Sequence, residues 1–273
     1  MIRELNSFDS YHDYIQEVNS DPDFFNPMLE QDEEISNYLK NAVKKPNNHV
    51  FGVFEDEKLT GLFGFLILHE EKYIEEIAAV SKTKAAYDEI IDYLESRFPG
   101  FQVDFVFNPK NALLVEKLKQ KNASFSTEQQ KMVLFDRQLP INAEGIESLS
   151  AINKQGYLEM HTKDCYWTGE KVAETPERFN TFLAVEDGSV VGYLDITNCF
   201  DENEIFDVLV EKSHRRRGWG TKLLARAIEA NRPKRMILTV DIDNFPAISL
   251  YENMGFVKAE GQNNQTATWM IGE

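Results

Sequence analysis

The chain has 273 residues, 42% of them hydrophobic, with a formal net charge of −17 at pH 7 and an isoelectric point near 4.8. This length and apolar content are enough for the cores of one large or two ordinary domains. The negative charge repels nucleic acid and anionic membrane surfaces and favours a cationic partner such as an amine. We therefore expect neither a nucleic acid partner nor a membrane partner.

The sequence also bears on the compartment. No apolar run approaches the roughly 20 residues that span a bilayer, and the stretch MIRELNSFDSYHDY lacks the basic segment followed by an apolar segment of a signal peptide. Cys165 and Cys199 have no metal-ligand spacing, so we expect two reduced thiols. These features predict a cytoplasmic protein that holds no metal.

Helix and strand patterns follow one another through the first half of the chain. Two amphipathic patterns, around residues 11–18 and 33–43, predict helices, and Pro46 ends the second. Apolar alternation then predicts strands, and apolar residues at helical spacing predict further helices. The predicted strands are 49–54, 59–68, 74–80, 101–107 and 131–135, and the predicted helices are 87–98 and 112–121.

The second half repeats this order. Residues 144–155 and 176–179 are predicted to be helical, and a hairpin turns about Asp187 and Gly188. Pro246 and Gly255 stand where the first turn and the end of a helix favour them. The predicted strands are 182–186, 190–197, 204–210, 235–241 and 266–271, and the later helices are one from Trp219 and one over 246–254.

The repeat is visible in residues as well as in order. A hairpin entered at Lys58 has a counterpart entered at Ser189, and a strand ending at Val80 has one ending at Val210. The predicted fold class is therefore α/β, with a mixed sheet in each of two tandem units. We place the units at residues 1–138 and 139–273.

The most informative stretch is DVLVEKSHRRRGWGTKLLARAIEA, residues 207–230, in which a buried strand turns into a helix. The first N–H groups of such a helix have no intrahelical partner and lie at the positive end of its dipole. Gly218 and Gly220 allow a phosphate close to the main chain, and three arginines at residues 215–217 add charge. The turn is thus predicted to bind an anion, and a diphosphate better than a monophosphate.

This stretch resembles the GNAT acyltransferases, the GCN5-related N-acetyltransferases. Arg215, Gly218 and Gly220 match the signature Q/R-x-x-G-x-G/A, whose loop holds the coenzyme A pyrophosphate in that family. DNFPAISLYENMGF, residues 243–256, is similar to the second half-motif N-x-x-A-x-x-L-Y-x-x-x-G-F. A Walker loop would need Lys and then Ser or Thr after its second glycine, whereas Thr221 precedes Lys222 here, and a dinucleotide fingerprint would need three glycines.

The two copies differ at this turn. In SKTKAAYDEI after Val80, Ala85 aligns with Arg215, Asp88 with Gly218 and Ile90 with Gly220, while Val115 aligns with Tyr251 further on. The first unit is therefore predicted to be a degenerate GNAT-like domain without the pyrophosphate loop, and residues 139–273 the catalytic GNAT domain.

The resemblance implies roles for individual residues. Tyr251 would be the general acid for the departing thiolate, and backbone groups of the strand before the loop would pair with the pantetheine arm. The pyrophosphate would be held by main-chain N–H groups of the loop. The implied contacts with coenzyme A are Val208, Leu209, Val210, Arg215, Arg216, Arg217, Gly218, Trp219, Gly220, Thr221 and Asn244.

The general base is left open by the sequence. Asp207 is the candidate we select, while Glu204, Asp195 and a chain of waters could serve instead. His161 and His214 are predicted to be surface or structural histidines. Asn244 has the alternative role of a helix cap without a cofactor contact, and Tyr251 that of a core tyrosine.

The resemblance thus implies an N-acetyltransferase that moves an acetyl group from acetyl-CoA, its co-substrate, to a primary amine by direct attack in a ternary complex. The acceptor would be a small molecule or a peptide. Two alternatives stay open: a non-catalytic acyl-CoA-binding or regulatory module, and an acyltransferase that uses a different acyl-CoA.

Overall fold

The computed structural model describes residues 1–6, 11–29, 39, 42–135, 142–161 and 167–272. The predicted helix at 33–43 lies mostly outside these ranges. Contacts divide the chain into two compact units, one formed by Met1–Gln130 with Glu260–Glu273 and the other by Lys131–Ala259. None of the helices in the described ranges has the length and apolar content to cross a membrane.

The first unit is a seven-stranded mixed sheet with helices packed on it. Its sheet order is β1-β2-β3-β4-β5-β14-β6. The elements are β1 (Ile2–Glu4), α1 (His12–Asn19), a 3-10 turn (Ala42–Lys44), β2 (Asn48–Glu55), β3 (Lys58–Leu68), β4 (Tyr73–Ser81), α2 (Lys84–Arg97), β5 (Gln102–Phe107), α3 (Ala112–Gln120), β6 (Ser124–Phe125) and β14 (Gln265–Met270).

The second unit has the same plan, a seven-stranded sheet in the order β13-β7-β12-β11-β10-β9-β8. The helix Trp219–Asn231 buries an apolar face that includes Leu223, Leu224 and Ile228 against this sheet. The elements are β7 (Gln129–Leu134), β8 (Ile146–Ser148), α4 (Lys154–Met160), α5 (Gly169–Glu174), β9 (Phe179–Glu186), β10 (Ser189–Thr197), β11 (Glu202–Val210), a 3-10 turn (Lys212–His214), α6 (Trp219–Asn231), β12 (Arg235–Asp241), α7 (Phe245–Met254) and β13 (Val257–Lys258).

The last strand of each half joins the sheet of the other half. Strand β14 pairs antiparallel with β5 along its whole length and buries Trp269 in the core of the first unit, whereas β7 lies between β12 and β13 and buries Met132 and Leu134 in the second. The two strands were predicted to close their own halves. The compact units therefore differ from the predicted division into 1–138 and 139–273, because each core is completed by a strand from the other half.

Two local predictions in the second half were wrong. Within the segment 144–155, predicted to be a helix, Ile146–Ser148 form β8, and the helix α4 begins only at Lys154. The helix expected around 176–179 lies earlier, at α5, where the Thr168 side chain accepts a hydrogen bond from the Lys171 N–H. Phe179 instead begins β9. The fold class of two tandem mixed-sheet α/β units is confirmed.

Candidate active site

Helix α6 begins at a glycine in the left-handed conformation. Gly218 is its N-cap, with φ +86° and no side-chain cap, and nothing lies within 4 Å of where a Cβ would stand. At Gly220, a Cβ would come within 3.1 Å of Leu250 Cδ2. The first N–H groups of the helix thus have no side-chain cap and lie at the positive end of its dipole, an arrangement suited to an anion.

The corresponding turn of the first unit is built differently. Only Lys82 and Thr83 separate β4 from α2, and the Thr83 hydroxyl accepts a hydrogen bond from the Ala86 N–H. Comparing the two N-caps places Thr83, rather than Asp88, at the position of Gly218. A first-turn N–H group of α2 is therefore already hydrogen-bonded to a side chain, so this turn has fewer free N–H donors for an anion than the start of α6.

The basic side chains before α6 are exposed and partly engaged. Arg215 Nε donates to the Val210 carbonyl at 2.9 Å, and Arg217 Nη1 lies 3.2 Å from Glu186 Oε2. Arg216 has φ +66°, which bends the loop sharply ahead of Gly218. The indole of Trp219 is buried in the core of the second unit, where a Cβ on Gly145 would stand 2.9 Å from its ring.

Strands β11 and β12 separate next to this loop. Their parallel pairing covers Glu202–Glu204 of β11, although the strands continue to Val210 and Asp241. Over the rest of its length β11 stays paired with β10 as far as Val210. The edge of β11 beyond Glu204 therefore has no ladder partner among the described strands, and it can accept an extended ligand in the manner of an added strand.

An irregularity in β11 places a carboxylate beside this fork. Asp195 of β10 faces Asp207, while the next residue, Ile196, faces Ile205, so Phe206 is the extra residue of a β-bulge. Asp207 is 27% exposed at its side chain, as a group that meets a substrate must be.

The Asp207 carboxylate is held by a buried cluster. The Tyr193 hydroxyl donates to Asp207 Oδ2 at 2.6 Å. The Tyr193 ring stacks on that of His161, with centroids 5.0 Å apart and planes inclined by 19°. His161 Nε2 lies 3.2 Å from Asp195 Oδ2 and 3.9 Å from Asp207 Oδ2. The imidazole is thus placed between two carboxylates.

Asp195 is the innermost group of this cluster. Its side chain is completely buried, and it accepts hydrogen bonds from the hydroxyls of Tyr157 at 2.9 Å and Thr181 at 2.5 Å. Burial, followed by the charge of Asp195, raises the pKa of Tyr157 well above its usual range. Because Asp195 has no exposed surface, it is not suited to contact an acceptor directly, which removes it from the candidate bases.

Tyr251 lies in the middle of α7 and is buried, with its ring packed edge to face against Phe256. Burial, with a further contribution from the negative charge of Asp207, raises the pKa of Tyr251 to about 12. The phenol therefore keeps its proton at neutral pH. The dependence on Asp207 places the two candidate catalytic side chains within electrostatic range of each other.

Asn244 is the N-cap of α7, and its Oδ1 accepts a hydrogen bond from the Ala247 N–H at 3.3 Å. The helix-cap role is thus observed, and the cofactor contact remains a prediction. In the first unit the equivalent cap of α3 is Asn111, which places the buried Leu118, rather than Val115, at the position of Tyr251. Neither residue carries a phenol.

The fork of the first unit contains a buried carboxyl group. Pairing of β4 with β5 ends at Glu75, and the side chain of the next residue, Glu76, accepts a hydrogen bond from the Val106 N–H at 3.0 Å. Burial raises the pKa of Glu76 to about 8. The Val106 N–H, which could otherwise donate to a ligand in the fork, is therefore already bonded to Glu76.

A cleft of about 660 Å³ lies elsewhere in the second unit, lined by α4, the turn between β9 and β10, and Glu211. None of its lining residues is a predicted site residue, so its size does not make it the reaction centre. The described residues contain no group of three or more His, Cys, Asp or Glu side chains arranged to hold a metal ion.

Sequence reasoning missed most of the buried cluster that holds the Asp207 carboxylate. His161 was predicted to be a surface or structural residue; it is buried against two carboxylates, which excludes the surface alternative. Tyr157 and His161 are four residues apart on α4 and so share a face, and Tyr193 and Asp195 share a face of β10. An aspartate inside the apolar run VVGYLDIT was the available signal.

Part of the second unit is similar to a known protein family. Residues 146–256 match the Acetyltransferase (GNAT) family. The [Ribosomal protein bS18]-alanine N-acetyltransferase of Escherichia coli (strain K12) is 26% identical over 117 residues, which are 41% of this chain and 78% of that protein.

Two solved structures share the fold over the whole chain. A GCN5-related N-acetyltransferase from Sphaerobacter thermophilus superposes with a TM-score of 0.70 at 14% identity, covering 99% of this chain and 95% of that one. A tandem GNAT protein from the clavulanic acid biosynthesis pathway has a TM-score of 0.59 at 11% identity and covers 100% and 99%. The family match lies in the second unit, and the chain as a whole has the fold of two GNAT-like units in tandem.

Proposed function

We propose that the second unit transfers an acetyl group from acetyl-CoA to a primary amine by direct attack in a ternary complex. The observation that carries the proposal is the fork between β11 and β12, which opens beside a glycine-capped helix N-terminus and two candidate catalytic side chains, Asp207 and Tyr251. The first unit lacks a counterpart of the glycine cap and of Tyr251. We assign it the role of a degenerate, non-catalytic copy.

The binding role falls to main-chain groups. Val208, Leu209 and Val210 would pair with the pantetheine arm along the unpaired edge of β11. The pyrophosphate would rest on the loop from Arg215 to Thr221 and receive N–H groups at the start of α6. The open space around Gly218 and the exposed arginines fit a ligand with two linked phosphates.

The chemistry requires a base and a donor. Asp207 takes a proton from the acceptor ammonium, and the neutral amine then attacks the thioester carbon. A carbon–nitrogen bond forms, and the carbon–sulfur bond breaks with its electron pair on sulfur, which accepts a hydrogen bond from the Tyr251 hydroxyl. Of the two protons that the nitrogen loses, one leaves through Asp207 and the other reaches the sulfur through solvent. The products are an amide, a thiol and one released proton.

The pKa of Tyr251 defines how it acts. A value of about 12 lies well above the 8.5 or so of an ordinary thiol, so complete proton transfer from the phenol to a free thiolate is unfavourable. The phenol therefore stabilises the developing negative charge on sulfur by hydrogen bonding.

The acceptor is an amine with a positive charge before the reaction, which the net charge of −17 attracts. The bS18-alanine N-acetyltransferase of Escherichia coli and an N-alpha-acetyltransferase of Saccharolobus solfataricus are both relatives at low identity. Peptides with a free α-amino group therefore belong in the test panel beside polyamines, aminoglycosides and amino acids.

The test is an assay of thiol release from acetyl-CoA over this amine panel, with succinyl-CoA and longer acyl-CoAs as competitors. Acetyl-CoA-dependent thiol release with an acetylated product found by mass spectrometry would support the proposal. Tight acyl-CoA binding without turnover on any amine would support the non-catalytic binding module instead. Preferential turnover of another acyl-CoA would show that the enzyme transfers that acyl group and not acetyl.

A further inference from the structure

We propose that Tyr193 and His161 are positioning residues for the acceptor amine: they fix the Asp207 carboxylate, and the buried Asp195 anchors them. The proposal rests on the proposed function, since it gives Asp207 the task of meeting the acceptor. It adds an inner layer to the site that the family signature motifs do not contain.

The first step concerns the orientation of Asp207. Its Oδ2 accepts the hydrogen bond from the Tyr193 hydroxyl at 2.6 Å, which leaves Oδ1 as the oxygen available to an ammonium group. A carboxylate on a bulged strand would otherwise rotate about two side-chain torsions. A fixed oxygen lowers the entropy lost when the acceptor is aligned with the thioester.

The second step concerns what holds Tyr193. Its ring lies against that of His161 at 5.0 Å, nearly parallel, and edge to face against Tyr157 at 5.4 Å. The imidazole in turn packs closely on α5, because a Cβ on Gly169 would stand 2.9 Å from His161 Cβ. Tyr193 is therefore confined between two aromatic rings.

The third step concerns charge. Asp195 and Asp207 are directly opposite on neighbouring antiparallel strands, an arrangement in which like charges destabilise each other. His161 Nε2, at 3.2 Å and 3.9 Å from the two carboxylates, can offset this repulsion when it carries a proton. The hydroxyls of Tyr157 and Thr181 supply two further donors to Asp195.

Asp207 is thus surrounded by groups whose state can alter its charge. They are Tyr193 and Asp195 on β10, His161 at the end of α4, and Tyr251 on α7. A purely structural cluster would affect stability when mutated. A positioning cluster would also change how acetyl transfer depends on pH.

The experiment is a double-mutant cycle on the full chain with Tyr193→Phe and Asp207→Asn, read by the pH profile of kcat/KM. Tyr193→Phe keeps the ring and its stacking and removes one donor to the ionised carboxylate. We expect kcat/KM to fall about tenfold and its acidic limb to move up by about 0.5 to 1 pH unit, the equivalent of one hydrogen bond. In the Asp207→Asn background, Tyr193→Phe should have no further effect on kcat/KM.

Tyr87→Phe in the first unit is the matched control. Its hydroxyl is also buried and hydrogen-bonded, to the Ser81 carbonyl and the Asn111 side chain. It should lower the melting temperature by an amount similar to Tyr193→Phe and leave the pH profile unchanged. Equal pH profiles for wild type and Tyr193→Phe, or full additivity of the two changes, would overturn the positioning role.

A second readout does not depend on turnover. The imidazole of His161 is followed by ¹⁵N NMR through a pH titration of the wild type and of Asp207→Asn, with Tyr87→Phe as the control. Loss of a neighbouring negative charge should move the titration midpoint to lower pH, and an unchanged midpoint would contradict the coupling of His161 to Asp207. If the wild type acetylates no amine, the proposed function fails. The positioning role then fails with it, because coupling between His161 and Asp207 without turnover would show a structural cluster only. Activity that survives Asp207→Asn unchanged would overturn this proposal and the role of Asp207 as base, and would leave the acetyl transfer itself standing.

Discussion

Removing the Tyr251 hydroxyl is the most direct test of the chemistry. Tyr251→Phe leaves a ring of the same shape in a nearly closed site, so the edge-to-face contact with Phe256 persists. The variant should fold, and its free energy of unfolding at neutral pH should change by no more than about 1 kcal/mol. Any larger effect on turnover then belongs to the hydroxyl.

The size of that effect follows from the pKa of the phenol. With a value of about 12, Tyr251 acts as a hydrogen-bond donor to the departing sulfur, and removal of one such donor costs about 10²- to 10³-fold in kcat, or roughly 3 to 4 kcal/mol. Because the phenol stays protonated up to high pH, we expect no fall in wild-type kcat from Tyr251 between pH 7 and 10.

The assay combines thiol release with isothermal titration of acetyl-CoA. We expect kcat to fall while the Kd for acetyl-CoA stays within about twofold of the wild type. Tyr14→Phe is the control, since burial raises the pKa of Tyr14 to about 12 as well but it lies in the first unit. An unchanged kcat, or a loss of acetyl-CoA binding as large as the loss of kcat, would refute the assignment.

Three further predictions concern the loop, its charges and the first unit. Gly218→Asp should abolish the binding of acetyl-CoA, measured by titration, because it adds a carboxylate where the phosphates would lie. Gly100→Asp is the control, since Gly100 also has a positive φ, +78°, and open space around its Cβ position. Both variants should lose stability of order 1 kcal/mol, but Gly100→Asp should bind acetyl-CoA normally. Glu186→Gln releases Arg217 from its ion pair and should tighten the Kd for acetyl-CoA a few-fold, an effect that 0.5 M salt should weaken; a weaker Kd would contradict a phosphate role for the loop. In the folded chain the pKa of Glu76 is about 8, above that of a glutamate in the unfolded chain. The protonated side chain therefore contributes its full stability below about pH 4.5, and this contribution is lost as the pH rises through 8. Urea unfolding at pH 5 and pH 8.5 should show this decline, by a few kcal/mol, and Glu76→Gln should flatten it; parallel pH dependence of both proteins would disprove the burial effect.

The sequence alone determined the repeated α/β plan and the location of the glycine-capped turn that is predicted to bind an anion. Both follow from short-range chemistry: apolar spacing sets helix and strand type, and Gly218 is needed where φ is positive at the start of α6. The half-motif from Asn244 to Phe256 likewise specified a helix with a cap at one end and Gly255 at the other.

The tertiary structure decided which strand completes which sheet. Strand β7 carries three consecutive apolar residues and β14 carries alternating ones. Neither pattern says which core its strand completes, and only the packing of Trp269 in one core and Met132 in the other distinguishes them. Local pattern does not encode such pairing, because it depends on contacts between residues far apart in the chain.

The inner layer of the site was also decided by the fold. His161, Asp195 and Asp207 lie on three different elements, and their meeting depends on a β-bulge and on the close approach of α4 to β10. A carboxylate in an acidic chain carries little information by itself. Burial and strand register exist only in the folded chain. They bury Asp195, where it accepts the hydrogen bonds of Tyr157 and Thr181, and they leave Asp207 partly exposed at the open fork.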